Sequence, residues 1–158
     1  MGFFSLLARP IRSAAGLAAS FLSGPTTRRS LGRRGEALAA RHLRRQGLRI
    51  LQRNFRARSG EIDLIALDGA CLVLVEVKSA IRSGSGGSAD RWDPLWKIDA
   101  AKARRIGRAA ALFRRRAGGE VPAARIDGVV VDFIPGPRGR PVLSGIRWYP
   151  ALHPVDRE

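Results

Sequence analysis

Residues 60–78, GEIDLIALDGACLVLVEVK, constrain the fold more than any other stretch of the chain. Two short runs rich in branched apolar residues, 62–67 and 71–77, flank Asp68-Gly69, a strong turn signal, so the segment reads as a β-hairpin. A two-residue turn at Asp68-Gly69 sets Glu61 opposite Glu76. A four-residue turn sets Asp63 there instead. In either register directly opposed residues share a face and side chains alternate in twos, so Glu61, Asp63, Glu76 and Lys78 leave one side of the hairpin at one end. A three-residue turn would divide them between the two faces.

Ile62, Leu64 and Ala66 share the opposite face with Val73, Val75 and Val77, and Ile65, Leu67, Leu72 and Leu74 make the charged face apolar further along. Both faces therefore need cover, and the charges sit at the rim of a buried layer. Carboxylates held side by side in such a place repel one another and resist desolvation unless a cation joins them. Oxygen donors of this kind suit Mg²⁺ or Mn²⁺. The simpler reading is an ion pair between Glu76 and Lys78 on a strand end, with Asp63 solvated.

Charge points to the partner. The 158 residues carry 29 Lys and Arg against 13 Asp and Glu, a formal net charge of +16, which suits a polyanion such as DNA, RNA or an acidic membrane surface. Only Lys78, Lys97 and Lys102 are lysine, so a lysine at position 78 suggests a site that wants a compact ammonium rather than a guanidinium fork. The single cysteine, Cys71, excludes an internal disulfide, fits a reducing, cytoplasmic setting and reads as a buried, inert thiol.

The length suits one domain with an appendage. Residues 1–29 lack acids, contain Arg9, Arg12, Arg28 and Arg29, and hold two apolar patches, each too short to span a bilayer as a helix. They read as a flexible basic arm, with membrane-surface association and a cleaved targeting segment as the other readings. Residues 30–154 read as the folded domain and 155–158 as a tail. Ser30 is placed to cap a helix that Gly47 ends, and Glu36 is its only acid, among many arginines, so an ion pair with Arg33 or Arg41 competes with a site role. His42 reads as partly buried. A strand over 48–56 follows, then the hairpin, then a Gly/Ser-rich loop over 79–93. Trp92 and Trp96 read as anchors of that loop. Pro94 opens a second helix of about twenty residues with one packing face and one basic face. Strands over 124–134 and 142–149 complete the chain, the last at an edge. Asp127 and Asp132 have opposite parity and read as structural.

The order is helix, three strands, helix, strand, strand. A helix with Glu36, then Asp63, then Glu76-Val77-Lys78 resembles the PD-(D/E)xK nuclease superfamily. More closely, Gly35-Glu36, Ala39, Leu43 and Gly47, then Asn54, residues 60–65, residues 75–78, Lys102, Arg105-Ile106 and residues 125–129 resemble the YraN-like family, itself likened to archaeal Holliday junction resolvases. The resemblance spans roughly residues 31–134. It implies an α/β fold with a restriction-endonuclease-like αβββαβ core, a mixed sheet flanked by helices. The N-terminal arm, the long Gly/Ser-rich loop and a reduced closing segment at Ala151-Leu152 depart from the family pattern.

That resemblance implies a metal-dependent nuclease that hydrolyses phosphodiesters in DNA, with branched or junction DNA as a candidate substrate. Asp63, Glu76 and the carbonyl of Val77 hold Mg²⁺ or Mn²⁺, Lys78 orients water or meets charge developing on phosphorus, and Glu36 completes the catalytic set. Arg33, Arg34, Lys102 and Arg105 grip the backbone in a salt-dependent way. Resolvase-like nucleases often work as dimers, so the resemblance admits a homodimer, though no interface is legible in the sequence, and RNA is the other polymer the charge admits. The alternative of a different class is a catalytically silent nucleic-acid-binding protein of the same fold. A third is a membrane-surface protein, in which Phe3, Phe4, Leu6 and Leu7 insert.

Overall fold

The structure, a computed structural model, describes residues 27–82, 98–118 and 123–155. Most of the N-terminal arm, Trp92, Trp96, Pro94 and the centre of the Gly/Ser-rich loop therefore lie outside the described residues. The elements run α1 (Arg28–Arg45), β1 (Arg49–Ala57), β2 (Gly60–Asp68), β3 (Cys71–Ile81), α2 (Ala100–Ala117), β4 (Ala123–Ile134) and β5 (Val142–Pro154), with a short 3₁₀ turn at Pro137–Gly139. The strands form one mixed sheet in the order β1-β2-β3-β4-β5, with β3 and β4 parallel and every other neighbour antiparallel. This is the expected αβββαβ arrangement with one added edge strand.

Each helix covers one face. Leu31, Ala39, Ala40 and Leu43 of α1 pack with Leu64, Ala66, Val73, Val75, Val77, Val129, Val131 and Phe133. Ala103, Ile106, Ala109, Ala110 and Phe113 of α2 pack with Phe55, Ile62, Ile65, Leu67, Leu72, Leu74 and Ile126. The hairpin strands thus have two apolar faces because two separate cores use them. On the α2 side Phe55 meets Phe113 edge-on with ring centroids 5.5 Å apart.

Both helices start at residues other than those the sequence suggested. Thr27, extended at φ −82°, caps α1 by accepting from the Ser30 amide, while the Ser30 hydroxyl donates back to the Thr27 carbonyl. Asp99 rather than Pro94 caps α2, accepting from the Lys102 amide at 2.7 Å, and left-handed Gly118 ends that helix. The hairpin takes the register Leu64 opposite Val75, the one that faces Asp63 toward Glu76. It does so through a turn at Gly69-Ala70, with Gly69 at φ 55°, because Asp68 pairs with Cys71 and its carboxylate holds Arg125 of β4 at 2.8 Å. As the first residue after that turn, Cys71 is only half-buried, not buried as its apolar neighbours suggested.

Strand β5 runs past the expected end at Tyr149, and one buried acid explains how. Asp127, with no exposure, accepts from Arg125 Nε at 2.9 Å, Trp148 Nε1 at 3.0 Å and the Ala151 amide at 2.9 Å. The last of these holds Ala151 at φ 55°, a conformation unfavourable to residues with a Cβ, where β5 kinks before pairing again with Ile126 and Arg125. Ala151→Gly is accordingly expected to stabilise the protein by about 0.5–1 kcal/mol in urea unfolding. A loss of stability on that change would contradict the strain assigned to Ala151.

Candidate functional site

The hairpin opens where its charged residues begin. Pairing between β2 and β3 extends from Asp68 with Cys71 to Leu64 with Val75, while β3 continues on β4 as far as Ile81 with Phe133. Beyond Leu64 a side chain takes over from the ladder: Asp63 Oδ2 accepts from the Val77 amide at 2.7 Å. The backbone donor freed by the fork is satisfied, and Asp63 is fixed beside Glu76.

Helix α1 closes the fork from the other side of the sheet. A Cβ at Gly35 would overlap the Ser79 hydroxyl, so the glycine lets α1 sit directly on β3 next to Lys78. That contact carries Glu36 to the fork. A cleft of about 530 Å³ results, lined from α1 by Arg28 and Glu36, from the hairpin by Glu61, Asp63, Glu76, Val77, Lys78 and Ser79, and from α2 by Lys102 and Arg105. The size is that of an ordinary ligand site.

Charges inside the cleft are unevenly balanced. Glu76, 8% exposed, receives both Lys78 Nζ and, at 2.6 Å, Lys102 Nζ on the same Oε1. Burial pushes the Glu76 carboxyl upward, but the hydrogen bonds and charges of Lys102 and Lys78 outweigh it and the net shift is downward. Lys78 moves up, because Glu76 and Asp63 together exceed the opposing effect of burial. Asp63 has weaker support, one backbone amide and the charge of Lys78 with no hydrogen bond from a lysine. Burial first, then the neighbouring charge of Glu76, lift it to about 6, with the Val77 amide pulling the other way and Glu36 adding to the rise. Perturbed acids beside lysines in a cleft mark a candidate functional site, although structural ion-pair networks shift acids in the same way.

Among the described residues Glu36 has no arginine partner of the kind its helix neighbours suggested: its Oε2 is buried and makes no hydrogen bond, as is the case for Ser79 Oγ. Glu61 is exposed and reaches Arg56 across the β1–β2 pair at 3.6 Å. Of the four residues expected to grip a backbone, Lys102 and Arg105 line the cleft. Arg34 is engaged elsewhere, stacked 4.9 Å over the Phe133 ring and donating to the Pro141 carbonyl at 2.5 Å. Arg33 lies exposed on α1, outside the cleft lining. Sequence reasoning missed Arg28, assigned to the arm but belonging to the first turn of α1. Thr27 was the signal that could have found it, since a threonine can cap as well as a serine.

The donor set bears on a metal. Among the described residues no three Asp, Glu, His or Cys side chains form a cluster able to hold an ion by themselves. Asp63 and Glu76 make a two-carboxylate site, and the orphaned Glu36 oxygen with the Val77 carbonyl supplies hard oxygen donors of the type Mg²⁺ and Mn²⁺ prefer. Lys78 and Lys102 now occupy Glu76.

The sequence profile described as "Uncharacterised protein family UPF0102" matches residues 35–131, from the middle of α1 through most of β4. The chain belongs to the UPF0102 family. A UPF0102 protein of Symbiobacterium thermophilum is 48% identical over 114 residues, covering 71% of this chain and 88% of the relative. Another, from Anaeromyxobacter dehalogenans, is 45% identical over 106 residues, covering 67% and 75%. One from Bordetella parapertussis is 44% identical over 130 residues, covering 78% and 66%. The UPF0102 match contains Glu36, Asp63, Glu76, Lys78, Lys102 and Arg105, whereas Arg28 and strand β5 lie outside it. Among the described residues no helix is long and apolar enough to cross a membrane.

Proposed function

We propose that this UPF0102 protein is a nucleic-acid-binding protein built on an endonuclease-like domain, which holds the phosphodiester backbone over the cleft between α1 and α2. One observation carries the reading. Helix α2 contains no acid and α1 contains only Glu36, and both expose arginines, Arg29, Arg33, Arg41, Arg44 and Arg45 on one and Arg104, Arg105, Arg108 and Arg115 on the other. Such surfaces bind phosphate by releasing counterions, without reading sequence. A cytoplasmic setting and DNA as the polymer, with branched DNA and RNA as further substrates to compare, follow as parts of the same proposal.

A second reading is favoured by the pair Asp63 and Glu76 together with the unpartnered Glu36 oxygen. Here the cleft hydrolyses the bound phosphodiester, as PD-(D/E)xK nucleases do. Asp63, Glu76 and the Val77 carbonyl would hold a divalent ion, with Glu36 beside them. Such an ion supplies Lewis-acid activation of the phosphodiester and of water. Lys78 would stabilise charge on the phosphoryl oxygens, and Lys102, released from Glu76, would hold the backbone.

Fluorescence anisotropy with labelled single-stranded, duplex and four-way-junction oligonucleotides tests the binding. The logarithm of the affinity is expected to fall linearly with the logarithm of salt, with a slope of about 0.9 per phosphate contacted on duplex DNA, and Lys102→Gln/Arg105→Gln is expected to weaken binding roughly tenfold. Salt-independent or absent binding to all three would refute the proposal. Incubating the same oligonucleotides with Mn²⁺ separates the readings: cleavage lost in both Glu76→Ala and Lys78→Ala supports hydrolysis, and intact DNA with wild-type protein leaves the binding module.

A further inference from the structure

We infer that the nucleic-acid site continues out of the cleft along the row of paired residues that crosses β4 to β5, where Arg82 and Arg147 form a second contact for the phosphodiester backbone. This rests on the binding function proposed above. Register puts the groups in line. Lys78 pairs with Val130 and Val130 with Arg147, so Lys78 and Arg147 leave the same face of the sheet two strands, about 10 Å, apart. The next row on that face pairs Ala80 with Asp132, and Arg82 follows at the end of β3. Helix α2 packs chiefly on β1 and β2, on the far side of the cleft from this row.

Charge argues for an outside partner. Asp132, 7% exposed, accepts from Arg82 Nε at 2.8 Å and from Arg147 Nη2 at 3.2 Å. Arg147 also donates to the Tyr149 hydroxyl at 3.0 Å. One guanidinium is enough to neutralise one carboxylate, so among the described residues the cluster keeps a positive charge. The opposite face shows the contrast, because there a single Arg125 serves both Asp127 and Asp68. The surplus of cations falls on the side of the sheet that holds Lys78. Side chains of Lys78, Arg82 and Arg147 are 37%, 32% and 34% exposed, so each stays partly open to solvent while held by its acid. A pre-ordered guanidinium of this kind loses little freedom when it meets a phosphate.

The test is anisotropy with a labelled single-stranded oligonucleotide and a duplex across a salt series, using the full chain and its variants. Arg147→Gln is expected to weaken binding roughly three- to tenfold and to lower the salt slope by about 1, with Arg147→Lys close to wild type. Arg49→Gln, on the opposite edge strand, controls for loss of net charge. Asp132→Asn works in the reverse direction: it frees the second guanidinium and is expected to tighten binding and steepen the salt slope, a gain that misfolding cannot produce. Equal effects of Arg147→Gln and Arg49→Gln, or an Asp132→Asn protein that folds and binds with an unchanged slope, would overturn the inference while leaving the cleft reading intact. Wild-type protein that binds neither oligonucleotide would remove both.

Discussion

Asp127→Ala is expected to lose about 3–5 kcal/mol of stability in urea unfolding, a large share of what a domain of this size has. The carboxylate is wholly buried and accepts from Arg125, Trp148 and the Ala151 amide. Alanine would leave the Trp148 and Ala151 donors unpaired away from water, each at a cost of about 1–3 kcal/mol, and would free a backbone held in a strained conformation. Arg125 would keep Asp68, which limits the damage. The loss should concentrate in β5, so hydrogen exchange at residues 146–151 should accelerate more than in the hairpin. A change below about 1 kcal/mol would mean that the apolar contacts of β5 hold it without the network.

Asp63→Asn is expected to act in the opposite direction and to depend on pH. The folded-state pKa of about 6 lies above the ordinary value of 3.8, so the folded protein holds this proton more tightly than the unfolded chain. The stability that the proton contributes is fully present below pH 3.8 and is lost as pH rises through 6. At pH 7.5 the ionised Asp63 is therefore a cost, at most about 3 kcal/mol from the size of the shift and on the order of 1–2 kcal/mol once solvent access is allowed for. Asparagine removes it, since its carbonyl can still accept from the Val77 amide and its NH₂ can donate toward acidic neighbours. Thermal melts in chelator should show the variant melting higher than wild type at pH 7.5 and level with it near pH 4. A variant less stable than wild type at pH 7.5 would show that Asp63 is held by attraction, not burdened by it.

The two aspartates contrast an acid whose burial is matched by donors with one whose burial is not. Asp127 is surrounded by donors and repays its burial, whereas Asp63 is held beside Glu76 and near Glu36 with one backbone amide to satisfy it. Natural proteins retain such destabilising arrangements where a ligand uses them.

Much of the site was legible in the hairpin. Strand alternation is a two-residue rule, so the sharing of one face by Asp63, Glu76 and Lys78 followed from either even-length turn, and the turn the chain uses is of that kind. The assignment of Leu64 and Ala66 to one core and of Ile65 and Leu67 to the other followed from the same periodicity, but Ile62, expected beside Leu64 and Ala66, packs in the α2 core with Phe55 and Ile65, beyond the point where pairing of β2 with β3 ends. The cap of α1 was less legible, because Thr27 and Ser30 compete for the role and only the backbone direction ahead of the helix decides between them.

Local pattern determined the strands, the helices, the basic surface and the common face of the charged hairpin residues, since each depends on neighbours within a few positions. Tertiary structure alone decided that Lys102, 26 residues beyond Glu76, shares its oxygen with Lys78, that Glu36 Oε2 is buried without a hydrogen bond among the described residues, and that one arginine meets two acids at Asp127 whereas two arginines meet one acid at Asp132. These depend on how α1 seats against β3 through Gly35 and how α2 crosses β2, which is set by the packing of two cores and leaves no periodic trace in the chain.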